Sequence, residues 1–130
     1  MERSRDWLAQ ADNDLEWARH SAAGGFHAQA CFAAQQAAEK AGKAAVQAQH
    51  GEARGHSVLK ILRGLPGEPA AGAELLEAAA ELDQYYIPTR YPNGFSAGSP
   101  FEFFTSTHAQ RAIGHAERII EFCRSRVPRS

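Results

Sequence analysis

The stretch FHAQACFAAQQAAEKAGKAAVQAQH, residues 26–50, decides the fold predicted for this chain. Alanine has the highest helix propensity of the amino acids, and no proline interrupts the run. Small side chains also let helix axes approach one another closely. We therefore predict a central helix over residues 26–50 that is packed on more than one face, and Gly51 is predicted to end it.

Helical patterns recur on both sides of this run. Apolar residues stand at helical spacing before Gly24-Gly25, which breaks the first pattern. Ser57 is predicted to cap a brief helix, because its hydroxyl can accept a hydrogen bond from a free N–H of the first turn. The other predicted helices cover about residues 4–23, 58–63, 70–86 and 105–123.

No segment shows the alternation expected of a β-strand, so the predicted fold class is all-α. The mostly short connections favour antiparallel neighbours. We predict an up-and-down four-helix bundle with an additional short helix, in a single helical domain over residues 1–130.

Composition limits the classes of function. The chain has 130 residues, of which 44% are hydrophobic and 22% charged, as expected of one globular domain. A net charge of −1 gives no overall basic field that would attract nucleic acid, although a local basic site is compatible with it. No apolar run is long enough to span a bilayer, and the first residues lack a signal-peptide core, so we expect a cytoplasmic protein.

The two cysteines do not suggest a metal or a cofactor. Cys31 and Cys123 both lie in helical, largely apolar patterns. There is no CxxC motif and no Cys/His spacing typical of zinc. We expect two buried free thiols, no metal site and no cofactor.

The stretch LDQYYIPTRYPN, residues 82–93, carries the strongest candidate for a binding residue. Prolines restrict their own backbone and that of the preceding residue, so Arg90 between Pro88 and Pro92 is expected on a stiff turn. A guanidinium can bind phosphate through two parallel hydrogen bonds and can stack on an aromatic ring. Tyr86 and Tyr91 are candidates for stacking on a base.

Asp83 and Lys43 complete the predicted ligand-binding set. Asp83 is expected either to orient Arg90 by a charge-assisted hydrogen bond or to form a salt bridge that only holds the turn on the bundle. Lys43 follows Glu39 by four residues, which favours an ion pair on a solvated helix face. Alternatively, Lys43 adds positive potential to the groove that contains Arg90.

Three stretches together resemble the HEPN domain, the higher eukaryote and prokaryote nucleotide-binding family. They are ACFAAQQAAEKAGKA, GHSVLKIL and LDQYYIPTRYPN, in that order, and the resemblance extends from Trp7 to about Phe122. It is strongest to small stand-alone prokaryotic members. The resemblance implies an up-and-down helical bundle that is usually a homodimer. Such proteins are often encoded beside a minimal nucleotidyltransferase, and many act in toxin–antitoxin pairs.

Catalytic members of the family are metal-independent ribonucleases with an arginine, four to six residues and then a histidine. No histidine of this chain has an arginine at that spacing. Arg111 and His115 come nearest, with three residues between them, and such a pair shares one helix face. His56, at the predicted start of the short helix, is the other weak catalytic candidate. It is expected either to act as a base or to cap a backbone group or pack against a tyrosine.

Three functions therefore stay open at the level of sequence. The first is a dimeric module that binds a nucleotide or an RNA ligand through Arg90, with a minimal nucleotidyltransferase as its partner. The second is a divergent metal-independent ribonuclease toxin that uses His56 or the Arg111/His115 pair. The third is a purely structural or antitoxin-side protein. Residues 95–104, FSAGSPFEFF, are expected either to form a subunit interface or to fold back over the bundle.

Overall fold

The chain forms a bundle of α-helices, as predicted. A computed structural model describes residues 2–129. Between α4 and α5 the chain makes two short 3₁₀ turns, Pro92–Gly94 and Pro100–Glu102. The helices are α1 Ser4–Ala23, α2 His27–Ala48, α3 Val58–Gly64, α4 Ala73–Asp83 and α5 Ser106–Arg124. The described residues contain four main helices, one short helix and no strand, and the all-α prediction is confirmed.

The alanine-rich helix α2 is the centre of the bundle. It packs against α1, α3, α4 and α5. Between residues 30 and 45 only four of its side chains are not buried. They are four, four and three residues apart in sequence, which places them on one face of the helix. These half-buried residues are Phe32, Gln36, Lys40 and Lys43. The prediction of a helix contacted on several faces is confirmed.

Close approach between α2 and α3 depends on a glycine. A Cβ atom added at Gly42 would lie only 2.7 Å from Cγ2 of Ile61. Ile61 is itself 6% exposed, so its branched side chain has little room to move away. The short helix α3 therefore lies against the backbone of α2.

The flanking helices bury the faces that their patterns predict. In α1, Leu8, Ala11, Leu15 and Ala18 are buried. Helix α5 likewise buries its apolar face. Its buried residues are Ala109, Ala112, Ile113, Ala116, Ile119, Ile120 and Cys123.

Two helices differ from the prediction at their ends. Helix α4 covers Ala73–Asp83 rather than residues 70–86, because Gly72 is extended and the residues after Asp83 form turns. Helix α2 stops at Ala48, and His50 rather than Gly51 adopts the left-handed conformation, with φ of 62°. The N–H of Gly51 then bonds the carbonyl of Val46 at 3.0 Å.

Both cysteines are free and buried, as expected. Burial raises the pKa of the Cys31 and Cys123 thiols to about 12. A thiol with so high a pKa carries little thiolate at neutral pH, and the thiolate is the reactive form. The two residues act as small apolar core residues.

We predict that Gly42→Ala destabilises the protein. Alanine is about 1 kcal/mol better than glycine in a helix interior, but the added methyl group would press on Ile61, and overpacking of this kind costs about 1–3 kcal/mol. Denaturant unfolding measures the net loss of unfolding free energy.

Gly114→Ala is the matched control. Gly114 lies inside α5, and a Cβ atom there would be 3.7 Å from Nη1 of Arg118, an ordinary contact. The free energy of unfolding of this variant should rise by up to about 1 kcal/mol from helix propensity alone. Equal stabilisation by both substitutions would contradict the close approach of α2 and α3.

Candidate ligand-binding site

Arg90 lies on the turn after α4 with its guanidinium among aromatic rings. Its central carbon is 4.4 Å from the ring centre of Phe32, 4.7 Å from that of Tyr86 and 5.2 Å from that of Tyr91. Its Nε donates a hydrogen bond to the Tyr86 carbonyl at 2.9 Å. Arg90 is exposed, and Tyr91 is 48% exposed. The structure therefore brings together the arginine and both predicted tyrosines.

Local hydrogen bonds fix the shape of this turn. The hydroxyl of Thr89 donates to the Tyr85 carbonyl at 2.5 Å, and Thr89 is 6% exposed. The backbone N–H groups of Arg90 and Tyr91 both point to the Ile87 carbonyl, at 3.0 and 3.2 Å. The stiff turn predicted from the two prolines is present, and it holds the guanidinium at the surface.

His56 reaches the same cluster from the segment before α3. Its ring stacks on Tyr86, with centres 4.7 Å apart and planes 20° from parallel. Its Nδ1 lies 3.1 Å from Oε1 of Glu39, and the Gln35 side chain donates to its carbonyl oxygen at 2.9 Å. His56 and Arg90 thus contact one tyrosine ring, which the sequence alone could not show.

Lys43 pairs with Glu39, but not on a solvated face. Its Nζ lies 2.9 Å from Oε2 of Glu39, whose side chain is only 4% exposed. The Lys43 side chain is 18% exposed, and its Nζ lies 5.6 Å from the ring centre of Trp7. The predicted i,i+4 pair is present, and the expected solvated stripe is wrong because the carboxylate is buried.

Asp83 does not bind Arg90, and the predicted contact between them is wrong. Its carboxylate accepts hydrogen bonds from the Ser57 hydroxyl at 2.8 Å, the Val58 N–H at 2.8 Å and the Leu59 N–H at 3.1 Å. Both oxygens are therefore occupied at the first turn of α3. Ser57 is the N-cap, as predicted, and its Oγ accepts from Lys60 N at 3.1 Å.

Arg111 and His115 converge on a carboxylate of α4. Nη2 of Arg111 lies 2.5 Å from Oε1 of Glu81, and Nε2 of His115 lies 3.0 Å from its Oε2. The hydrogen bond from Arg111 is the main cause that lowers the pKa of Glu81. Arg118 donates to Nδ1 of His115 at 2.6 Å, so both ring nitrogens have neighbours. This cluster joins α4 to α5.

Family comparison agrees with the fold. The profile of the HEPN domain matches residues 4–126. This chain belongs to the HEPN domain family. Comparison with functionally curated proteins gave no significant match.

Solved structures of similar proteins extend this result. A crystal structure of a Thermus thermophilus protein is 44% identical, with a TM-score of 0.94 over 98% of this chain and 100% of that one. An archaeal HEPN homologue is 39% identical, with a TM-score of 0.82 over 98% and 100% of the two chains. A HEPN domain protein from Thermotoga maritima is 37% identical, with a TM-score of 0.73 over 92% and 95%.

Trp17 and Phe32 belong to the aromatic surface of this HEPN domain, and sequence reasoning missed both. The Trp17 and Phe32 rings meet edge to face at 6.2 Å, and Phe32 lies 6.1 Å from Tyr86. Trp17 is 44% exposed. A signal for Phe32 existed, since it is the bulkiest residue within the alanine-rich run of α2.

The phenylalanine-rich loop of the HEPN chain folds back only in part. Phe95 and Phe103 stack at 4.3 Å, and Phe104 meets Tyr85 edge to face at 5.9 Å. Phe101, in contrast, is 70% exposed. The loop thus covers its own bundle through Phe104 and presents Phe101 outward.

Two features are absent from the described residues. Within residues 2–129, no group of three or more His, Cys, Asp or Glu side chains is arranged to hold a metal ion. None of the helices described there is both long and apolar enough to cross a lipid bilayer.

We predict that Asp83→Ala destabilises the protein by about 1–3 kcal/mol, because it removes an acceptor from three donors at the start of α3. Thermal and denaturant unfolding measure the loss. Asp12→Ala is the control. Asp12 pairs with Arg124 at 2.6 Å with its side chain 45% exposed, and such pairs contribute less than about 1 kcal/mol. Equal effects of the two substitutions would show that Asp83 is not a cap.

Proposed function

We propose that this HEPN domain is a homodimeric module that binds a nucleotide or an RNA-like ligand at Arg90. The observation that carries the proposal is an exposed guanidinium held over the rings of Phe32, Tyr86 and Tyr91. Asp83, the carboxylate expected to pair with Arg90, bonds the start of α3 instead.

The free part of the guanidinium suits a phosphate group. Its Nε is bonded to the Tyr86 carbonyl, and among residues 2–129 its two terminal nitrogens make no hydrogen bond. Two adjacent terminal N–H groups match two phosphate oxygens. The exposed ring of Tyr91 offers a face on which a base can stack, and stacking contributes about 1–3 kcal/mol per base.

Exposed apolar side chains support a partner surface near the site. They lie in the second half of α1, at the start of α2 and between α4 and α5. Ring contacts connect these parts of the chain, namely Trp17 with Phe32, Phe32 with Tyr86, and Tyr85 with Phe104. Aromatic side chains are enriched in interface cores. A second copy of this chain and a minimal nucleotidyltransferase, in a toxin–antitoxin-like setting, are the partners we propose for this surface. The exposed residues are Trp17, Phe26, Ile87, Tyr91, Phe101 and Phe103.

We predict that Arg90→Ala weakens binding of adenosine monophosphate at least about tenfold, since a hydrogen bond to a charged group is worth about 1.5–3 kcal/mol. Isothermal titration calorimetry measures the affinity. Arg63→Ala, which changes an exposed arginine of α3, is the control and should bind as the wild type does. If Arg90→Ala alters only thermal stability, the arginine is structural and the third function, a structural or antitoxin-side protein, is favoured.

A second function is favoured by the meeting of His56 and Arg90 on Tyr86. Metal-independent RNA cleavage needs a base for the 2′-hydroxyl proton and a cation for the developing phosphorane charge. Both residues lie against the Tyr86 ring, whereas Arg111 and His115 lie within 3.0 Å of the Glu81 carboxylate.

Incubation with single-stranded RNA in the presence of a metal chelator separates the two functions. The binding module predicts intact RNA. Cleavage that is lost in His56→Ala and in Arg90→Ala, but kept in His115→Ala, would replace the first proposal with a ribonuclease. Cleavage lost only in His115→Ala would instead move the active site to the Glu81 cluster.

A further inference from the structure

Glu39 is a buried carboxylate with two basic neighbours. Its side chain is 4% exposed, its Oε2 lies 2.9 Å from Lys43 Nζ, and its Oε1 lies 3.1 Å from His56 Nδ1. Burial of a charge is costly unless the charge is paired and hydrogen-bonded. The Glu39 carboxylate therefore has one of its oxygens close to each of the two bases.

His56 is held in a defined orientation at the surface. Three contacts fix it, namely the stack on Tyr86, the Glu39 contact at Nδ1 and the bond from Gln35 to its carbonyl oxygen. Its side chain is nevertheless 56% exposed. Since Nδ1 faces Glu39, Nε2 is the nitrogen left for a ligand.

The charges around the imidazole come from several elements. Helix α2 supplies Glu39 and, behind it, Lys43. The end of α4 supplies Asp83, which is bonded to Ser57 next to His56 in the chain. The turn after α4 supplies Arg90, whose guanidinium lies against the same Tyr86 ring. A protonated His56 and Arg90 would thus be two cations in contact with the Tyr86 ring.

We propose that His56, positioned by Glu39, is the second cationic contact for the phosphate of the ligand at Arg90, so that binding is coupled to uptake of a proton by His56. This inference rests on the proposed ligand site. The proton adds to Nε2, which then donates to a phosphate oxygen while Nδ1–H stays on Glu39. Nε2 of the neutral ring is an acceptor and cannot make that bond.

The sign of the coupling follows from the charge of the ligand. An anion favours the charged form of a neighbouring imidazole, so the affinity should rise as the pH falls through the range in which histidine titrates, around pH 6.5. One added charge-assisted hydrogen bond corresponds to about a tenfold gain in affinity. A neutral nucleoside should show no such gain.

The test uses the dinucleoside monophosphate ApA, whose diester keeps one negative charge across the range, and compares pH 8.5 with pH 5.5 by calorimetry. The wild type should bind about tenfold more tightly at the lower pH. Titration at pH 6.5 in two buffers of different ionisation enthalpy should reveal the uptake of a proton. Adenosine serves as the neutral ligand.

Variants test whether the proton taken up on binding adds to His56. His56→Gln should give a flat pH profile for ApA, and His20→Gln, which changes an exposed histidine of α1, should keep the wild-type profile. Glu39→Gln keeps the shape of the side chain but removes the carboxylate that orients Nδ1 of His56, and the gain in affinity should shrink. Thermal unfolding of each variant confirms that it is folded.

The outcomes separate this inference from the proposed function. Binding that is abolished by Arg90→Ala but equal at the two pH values in the wild type would overturn the role of His56 and leave the ligand site standing. A pH dependence that persists in His56→Gln would also overturn it. No binding of ApA or of adenosine monophosphate at either pH would overturn both proposals.

Discussion

Contact between small side chains along α2 is the constraint on which the rest of the structure depends. Alanines let α1, α3, α4 and α5 all approach the same helix, and Gly42 lets Ile61 touch its backbone. Only one face of the middle of α2 is not fully buried. Phe32 and Lys43 stand on that face, so the packing of the core determines where the candidate site can form.

The site itself depends on contacts that are distant in sequence. Asp83, at the end of α4, caps α3, and Gln35, buried on α2, binds the backbone next to that cap. Between them they hold His56 against Tyr86, which is three residues beyond Asp83. The end of α4 therefore positions both residues of the site. The Asp83 carboxylate bonds the segment that contains His56, and the turn after α4 carries Arg90.

Much of the fold could be predicted because it follows local rules. Helical spacing identifies the buried face of α5, and Ser57 is recognisable as a cap. Helix α4 is shorter than the predicted 70–86 because Gly72 is extended and the residues after Asp83 form turns. The local sequence does not show that the Asp83 side chain bonds the start of α3. The turn with Arg90, Tyr86 and Tyr91 was recognisable, but its meeting with His56 depends on tertiary packing, and so does the burial of Glu39.

The hydrogen bonds of Gln35 and Asp83 beside His56 affect which residues of the preceding connector can vary among homologues. The connector between α2 and α3 is mostly exposed, and Gly55 within it has a positive φ of 77°. Since the connector is secured at its end by Gln35 and Asp83, its earlier residues can change in length or composition at a small entropic cost. Homologues can therefore diverge in residues 51–55 while the histidine keeps its place, and this loop is a natural point at which to insert a reporter group.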